Sequence, residues 1–169
     1  MSHIDSAELI YAHFTNGVNE TPYAVFVDFN RQAVVITVRG TLSLEDCVTD
    51  AMAQPESLND AGQEWSFVGN KRYAHSGMLG SALQIRKSLR NIPYVSELLN
   101  YVKGEFPSGG DVYRGIGHSI CPNIVSPLAE PVHINRLYVV GHSLGAGVAS
   151  ILGLLMKSEF PTLKVLAYG

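Results

Sequence analysis

The sequence has two cysteines, one tryptophan and only 16% charged residues. Cys47 and Cys121 stand far apart and match no metal-ligand spacing. That excludes a disulfide-stapled scaffold and a zinc module, and leaves two free thiols in a reducing compartment as the expectation. Twelve Lys and Arg stand against fifteen Asp and Glu, a net charge of −3, with no basic cluster, so a nucleic-acid partner is not expected. No run is apolar for the 18 or more residues that a membrane span needs. The opening Met1-Ser2-His3-Ile4-Asp5 lacks the basic and apolar regions of a secretory signal. As it stands the chain is expected to be soluble. One further lack matters for chemistry: after residue 143 there is no Asp and no His, and the only acid is Glu159.

What is present suits one globular domain: 169 residues, 46% of them hydrophobic, enough for a sizeable core. The pattern alternates between strands and helices. Residues 5 to 14 read as a helix with Leu9, Ile10 and His13 or Phe14 on one face, closed by Asn16-Gly17. Two β-branched runs, 23–29 and 33–38, flank Asn30-Arg31-Gln32 and read as a β-hairpin. The second runs straight into Arg39-Gly40-Thr41. Ser43 then caps a helix over 43–53, with Glu45 and Asp46 in its first turn and an apolar stripe of Leu44, Cys47, Val48, Ala51 and Met52. It reads either as an ordinary docked surface helix or as a lid.

Residues 54–72 read as irregular, with Trp65-Ser66-Phe67-Val68 as a short strand. His75-Ser76-Gly77-Met78 opens a helix that Pro93 breaks near Asn91, and a second helix follows over 95–101. From Gly104 the chain is rich in Gly, Pro, Ser and Asn as far as Pro131, a loop long enough to be a functional flap or a mobile insert. The apolar stretch 146–160 predicts a helix buried against a sheet, and 163–168 a final apolar strand.

The chain is organised around Leu137-Tyr-Val-Val-Gly-His-Ser-Leu-Gly145. A short apolar strand, the pattern Gly141-x-Ser143-x-Gly145 and a helix of small and apolar residues are the context of a nucleophile elbow. The five-residue pattern alone arises by chance in about one such chain in ten at this glycine and serine usage, so the strand before it and the helix after it decide the reading. Gly145-Ala146-Gly147-Val148-Ala149-Ser150 imitates a dinucleotide loop. It lacks the acid about 20 residues on, because 164–168 holds none, and there is no Lys-Ser/Thr pair for a phosphate loop.

A serine hydroxyl needs a base for its proton and an acid to orient that base. Elbow enzymes supply them in the order Ser, Asp or Glu, His, and nothing after Ser143 qualifies. Glu159 lies about four turns along the helix. The ring of His142 is expected to project away from the Ser143 Oγ. Spacing alone leaves His75, His118 and His133 open as bases, with His3 and His13 more remote. One oxyanion donor is the backbone N–H of Leu144, and the turn at Arg39-Gly40-Thr41 is the best source of the second, from Thr41.

Together Val38-Arg-Gly-Thr-Leu-Ser-Leu-Glu-Asp46, His75-Ser-Gly-Met78, the elbow at 139–147 and Pro161-Thr-Leu-Lys-Val-Leu-Ala-Tyr168 resemble the class 3 lipase family of α/β-hydrolases, and within it the sn-1-specific diacylglycerol lipases. The resemblance covers the chain from about Thr21 onward. It implies an α/β fold of the α/β-hydrolase type, cut short after the strand that follows the nucleophile helix, so that residues 1–169 form part of a lipase catalytic domain. It implies Ser143 as nucleophile, Leu144 and Thr41 in the oxyanion hole and the helix from Ser43 in the lid position. The implied reaction cleaves an acyl ester of diacylglycerol to a monoacylglycerol and a fatty acid, on a glycerolipid at the cytoplasmic side of a membrane.

Those lipases carry membrane-spanning helices that this sequence lacks, and their catalytic Asp and His lie beyond the position of Gly169. A missing C-terminal part of the domain is therefore expected. No cofactor is required for the chemistry. Calcium follows from the family resemblance only, and no ligand cluster for it stands out. A soluble esterase or thioesterase with another acyl substrate, and an inactive lipase-like fragment acting in binding, are the alternatives.

Overall fold

The computed structural model describes residues 7–15, 20–40, 54–104 and 134–169. The expected helix over 43–53, most of the long loop, Thr41, Cys47, Cys121, His3, His118 and His133 lie outside the described residues. Five strands form one mixed sheet in the order β1-β2-β3-β6-β7: β1 Ala7–His13, β2 Tyr23–Asp28, β3 Ala33–Val38, β6 Arg136–His142 and β7 Lys164–Tyr168. The first three are antiparallel and β3, β6 and β7 are parallel. Parallel neighbours require crossovers. Among the described residues between β3 and β6 are a small antiparallel pair, β4 Pro55–Ser57 and β5 Tyr73–His75, and three helices. These are α1 Asn59–Trp65, α2 Ser76–Asn91 and α3 Pro93–Lys103, while α4 Leu144–Met156 joins β6 to β7.

Register explains which side of the sheet is filled. Val25 faces Ile36, Val27 faces Val34, and these pair on to Val139 and Leu137. All six are buried, on the face that α2, α3 and α4 cover with Leu79, Ile85, Leu89, Leu98, Val148 and Leu152. On the opposite face Ala24, Phe26, Val35, Thr37 and Val140 are half-buried, and Leu166 and Tyr168 are exposed. Tyr23 ties the sheet to α2, its hydroxyl donating to Ser88 Oγ at 2.7 Å. Burial pushes that phenol up to about 12, so it stays protonated as a donor.

Three expectations are corrected. Residues 7–13 are a strand, not a helix: the unpaired edge of β2 supplies ladder partners, and Tyr11 and His13 stack on Tyr23 with ring centroids 5.7 and 5.6 Å apart. A register shift between Leu9 and Tyr11 breaks the period-two pattern and leaves spacing that imitates a helix. Trp65 does not start a strand but ends α1. Ser66 takes the left-handed conformation that closes the helix (φ 59°, ψ 48°), and Phe67 N–H donates to Gly62 O at 3.0 Å. The helix after the elbow begins at Leu144 rather than 146 and gives way to turns at 157–159. The hairpin, the helix from Ser76 and its break before Pro93 are as expected, with Ile92 extended as a residue before proline must be (φ −91°, ψ 107°).

The far end of α4 is clamped by charge. Glu159 pairs with Arg86, Arg90 and Lys103, the last at 3.6 Å, and the guanidinium carbons of Arg86 and Arg90 stand 5.0 and 4.4 Å from the Trp65 ring centroid. Ser158 Oγ donates to Trp65 O at 2.9 Å, completing the link to α1. The Arg86 side chain is 1% exposed, so its charge depends on this partner. Burial pushes the Glu159 carboxyl up, but the hydrogen bonds and charges of Arg86 and Arg90 outweigh it and hold the group below the ordinary glutamate range. Its contribution is therefore complete above that range and is lost as pH falls through the depressed value. Glu159→Ala, which leaves the buried guanidinium uncompensated, is expected to cost about 3–5 kcal/mol in a urea melt at pH 7. The difference from the parent is expected to narrow on acidification below pH 4.

The edge of the sheet yields a second expectation. Among the described residues β7 pairs with β6 alone, with Leu166 40% and Tyr168 55% exposed. A strand edge beside exposed apolar side chains templates pairing with other chains. Light scattering of the purified chain should show association that increases with concentration. A strictly monomeric species with a sharp melt would refute it.

Candidate active site

The sheet and α4 meet at residue 143. Strand β6 ends at His142, α4 begins at Leu144, and Ser143 alone makes the turn, with φ 54° and ψ −126°. Positive φ outside a glycine is strained, by about 1–3 kcal/mol. The strain persists because the surroundings determine the turn. Ser143 N–H donates to Tyr168 O of β7 at 2.8 Å, and its own carbonyl accepts from Ala146 N–H at 2.9 Å.

Two glycines of the motif are required by close backbone approach. A Cβ at Gly141 would overlap the carbonyl of Gly145, and one at Gly145 would come within 2.6 Å of Val38 O and 2.7 Å of Arg39 O. The end of β3 is thus pressed against the first turn of α4. Gly40 continues this contact: a Cβ there would sit 2.5 Å from His142 O and 3.5 Å from Ser143 Cβ. The backbone at Gly40 consequently passes beside Ser143, while Thr41 itself lies outside the described residues. The N–H of Leu144, the first residue of α4, has no acceptor within the helix and lies at the positive end of its dipole. It follows the serine directly, where an oxyanion would form.

The histidines fall into place by register. His142 is exposed, and strand alternation turns it to the face opposite Gly141. His13 pairs with Tyr23, Tyr23 with Val38 and Val38 with Gly141, which sets it three strand spacings, roughly 14 Å, from the elbow. It cannot take a proton from Ser143. His75, half-buried, precedes α2, and Gly147 in the first turn of α4 abuts Met78, so the N-termini of α2 and α4 share one end of the molecule. Among the described residues no imidazole or carboxylate is hydrogen-bonded to Ser143 Oγ. Glu159 is occupied by Arg86, Arg90 and Lys103 at the opposite end of α4, roughly 20 Å away. Nor do the described residues hold a group of three or more His, Cys, Asp and Glu suited to a metal ion. The sequence reading missed Tyr168, whose carbonyl fixes the serine amide. Its only signal was positional, since aligning 164–168 in parallel with 138–142 brings Tyr168 opposite His142.

A strained serine between a parallel strand and a helix, flanked by glycines where the backbone leaves no room for a side chain, is the elbow of an α/β-hydrolase. The fold agrees. Rhizomucor miehei triacylglyceride lipase superposes with a TM-score of 0.59 at 16% identity, over 96% of this chain and 48% of that one. A mutant form of MDLA from Penicillium cyclopium superposes with a TM-score of 0.58 at 22% identity, over 96% and 46%. The sequence model described as Lipase (class 3) matches residues 35–169, and the chain belongs to that family. It is 35% identical over 163 residues to diacylglycerol lipase-alpha of Homo sapiens and 28% identical over 161 residues to diacylglycerol lipase-beta of Mus musculus. It spans 96% and 95% of its own length in those matches but 13% and 19% of theirs.

The strain at Ser143 is measurable. Ser143→Gly should unfold at higher urea than Ser143→Ala, by about 1 kcal/mol, because glycine relieves the positive φ at a smaller entropic cost while alanine keeps the strain. Equal midpoints would mean that the turn is unstrained.

Proposed function

We propose that Ser143 is the nucleophile of a serine lipase that cleaves an acyl ester of diacylglycerol, releasing a fatty acid and a monoacylglycerol. The observation that carries the reading is the strained Ser143 beside Gly40, in a chain 35% identical to a diacylglycerol lipase. Ser143 Oγ attacks the ester carbonyl, and its proton passes to a general base. The tetrahedral oxyanion is held by Leu144 N–H at the start of α4 and by Thr41. Collapse expels the glyceride alcohol, which takes up the proton, and water then releases the fatty acid from the acyl-serine. The base and its orienting acid come from residues C-terminal to Gly169, in the order such elbows use. The substrate is a glycerolipid presented at a membrane surface. Among the described residues no helix is long and apolar enough to cross a membrane. The steps as written use no cofactor, and calcium follows from the family resemblance only.

Two polypeptides test the reading: this chain, and the chain extended beyond Gly169 through the next Asp and His, each with Ser143→Ala as blank. Removing a triad member leaves about 10³–10⁴-fold catalysis over water, against the 10⁶-fold or more common for enzymes. Fatty-acid release from diacylglycerol emulsion should therefore be lower by at least about two orders of magnitude for the short chain. Equal rates would place the base within residues 1–169. Preference for a short nitrophenyl ester over diacylglycerol in the extended chain would favour a soluble esterase instead.

A further inference from the structure

Helices α2 and α4 pack on each other, and near Ser143 their contact is a methionine laid across a glycine. A Cβ at Gly147 would overlap Met78 Sδ and come within 3.1 Å of its Cε. The thioether therefore rests directly on the α4 backbone. Gly147 follows Ala146, whose N–H donates to Ser143 O at 2.9 Å, so Met78 bears on the turn that opens at the serine. Leu79 and Ala82, further along α2, are buried, whereas Met78 is half-buried at the edge of that contact. Met156, the other methionine among the described residues, lies at the far end of α4 and is 0% exposed. Of these two side chains only Met78 is open to a small solute.

A thioether fills apolar space well but is open to peroxides. Its sulfur donates an electron pair to one oxygen of hydrogen peroxide and the O–O bond breaks. That oxygen stays on sulfur as a sulfoxide and the other leaves as water, so sulfur loses two electrons and peroxide gains them. The product is a polar, chiral side chain one oxygen larger. Turned towards α4, the new oxygen finds no room, because the sulfur already rests on Gly147. Turned towards water, it draws the tail away and leaves Gly147 uncovered. Either way the apolar contact at the first turn of α4 is lost. We infer that Met78 is a peroxide-oxidation site whose sulfoxide loosens the start of α4 and, with it, the backbone turn at Ser143. The effect needs no substrate and goes beyond the lipase reading.

The test exposes the folded chain to graded hydrogen peroxide, with peptide mapping for sulfoxide and NMR for amide hydrogen exchange. Sulfoxide should form at Met78 well before Met156. The amides of Ser143 and Ala146, held by Tyr168 O and Ser143 O, should then exchange about tenfold faster, the equivalent of about 1.4 kcal/mol in local opening. Those of Val25 and Ile36 in the sheet should keep their rates. Met78→Leu, which nearly conserves volume, should exchange like the parent and not respond to peroxide. That variant retains Cys47, Cys121, Met1 and Met52, so a response that persists in it belongs to one of those and overturns the inference. Oxidation of Met78 no faster than Met156, or Met78 sulfoxide with unchanged exchange at Ser143 and Ala146, overturns it equally. Should Met78→Leu fail to fold, methionine sulfoxide reductase decides on the parent chain: it should restore the original exchange, and failure to restore it counts against the inference. None of these readouts needs turnover, so an inactive protein removes the lipase reading and leaves this one standing.

Discussion

The structure depends on how closely three pieces of backbone approach at one point. The carbonyls of Val38 and Arg39, the carbonyl of His142 and the first turn of α4 come together at distances that leave no space for a side chain at Gly145 or Gly40. Because these contacts are made by main chain, the position of the Ser143 hydroxyl does not depend on how flexible side chains settle. The hydrogen bond from Ser143 N–H to Tyr168 O adds a third strand to the same knot. It also orders the amides by role. The serine amide is engaged with the sheet, while the next amide, at the start of the helix, has no acceptor within it. A strained residue held from both sides in this way has its conformation fixed by the fold.

The other end of α4 is held by a different kind of force. Arg86 is buried against Trp65 and matched by Glu159, with Arg90 and Lys103 around the same carboxylate. Burying a guanidinium is costly, so the arrangement says more about geometry than about net stability. It joins α1, α2, α3 and the turn that leads into β7, and β7 carries the carbonyl that fixes the serine. Polar contacts at one end of α4 thus bear on backbone placement at the other.

Much of this was legible in the sequence because it rests on local rules. The elbow was readable since steric exclusion at Gly141 and Gly145 permits few other residues. Pro93 announced the break between α2 and α3, and the β-branched run of Val34, Val35, Ile36 and Thr37 announced its strand. Where the reading failed, the deciding partner was distant. Leu9, Ile10 and Phe14 suit a helical face, but the edge of β2 claims that segment as a strand. Asn59, Asp60, Gln63 and Glu64 carry almost no apolar periodicity, so α1 was invisible until Trp65 found Arg86 and Arg90. The role of Tyr168 belongs to its carbonyl, and no side-chain pattern encodes a carbonyl.

The pairing of β3 with β6 has a consequence for how the protein comes into being. The two strands lie side by side, yet β3 ends at Val38 and β6 begins at Arg136. The close approaches of Gly145 to Val38 and Arg39 and of Gly40 to His142 are built across that seam, so the site cannot form from local contacts alone. The antiparallel strands β1 to β3 have short connections and can assemble early, whereas the parallel seam must wait for a long loop to close. During synthesis, the first strands emerge with one flank still open, and the serine turn arrives last. The backbone around Ser143 is thus fully held only once the long-range pairing of β3 with β6 is in place.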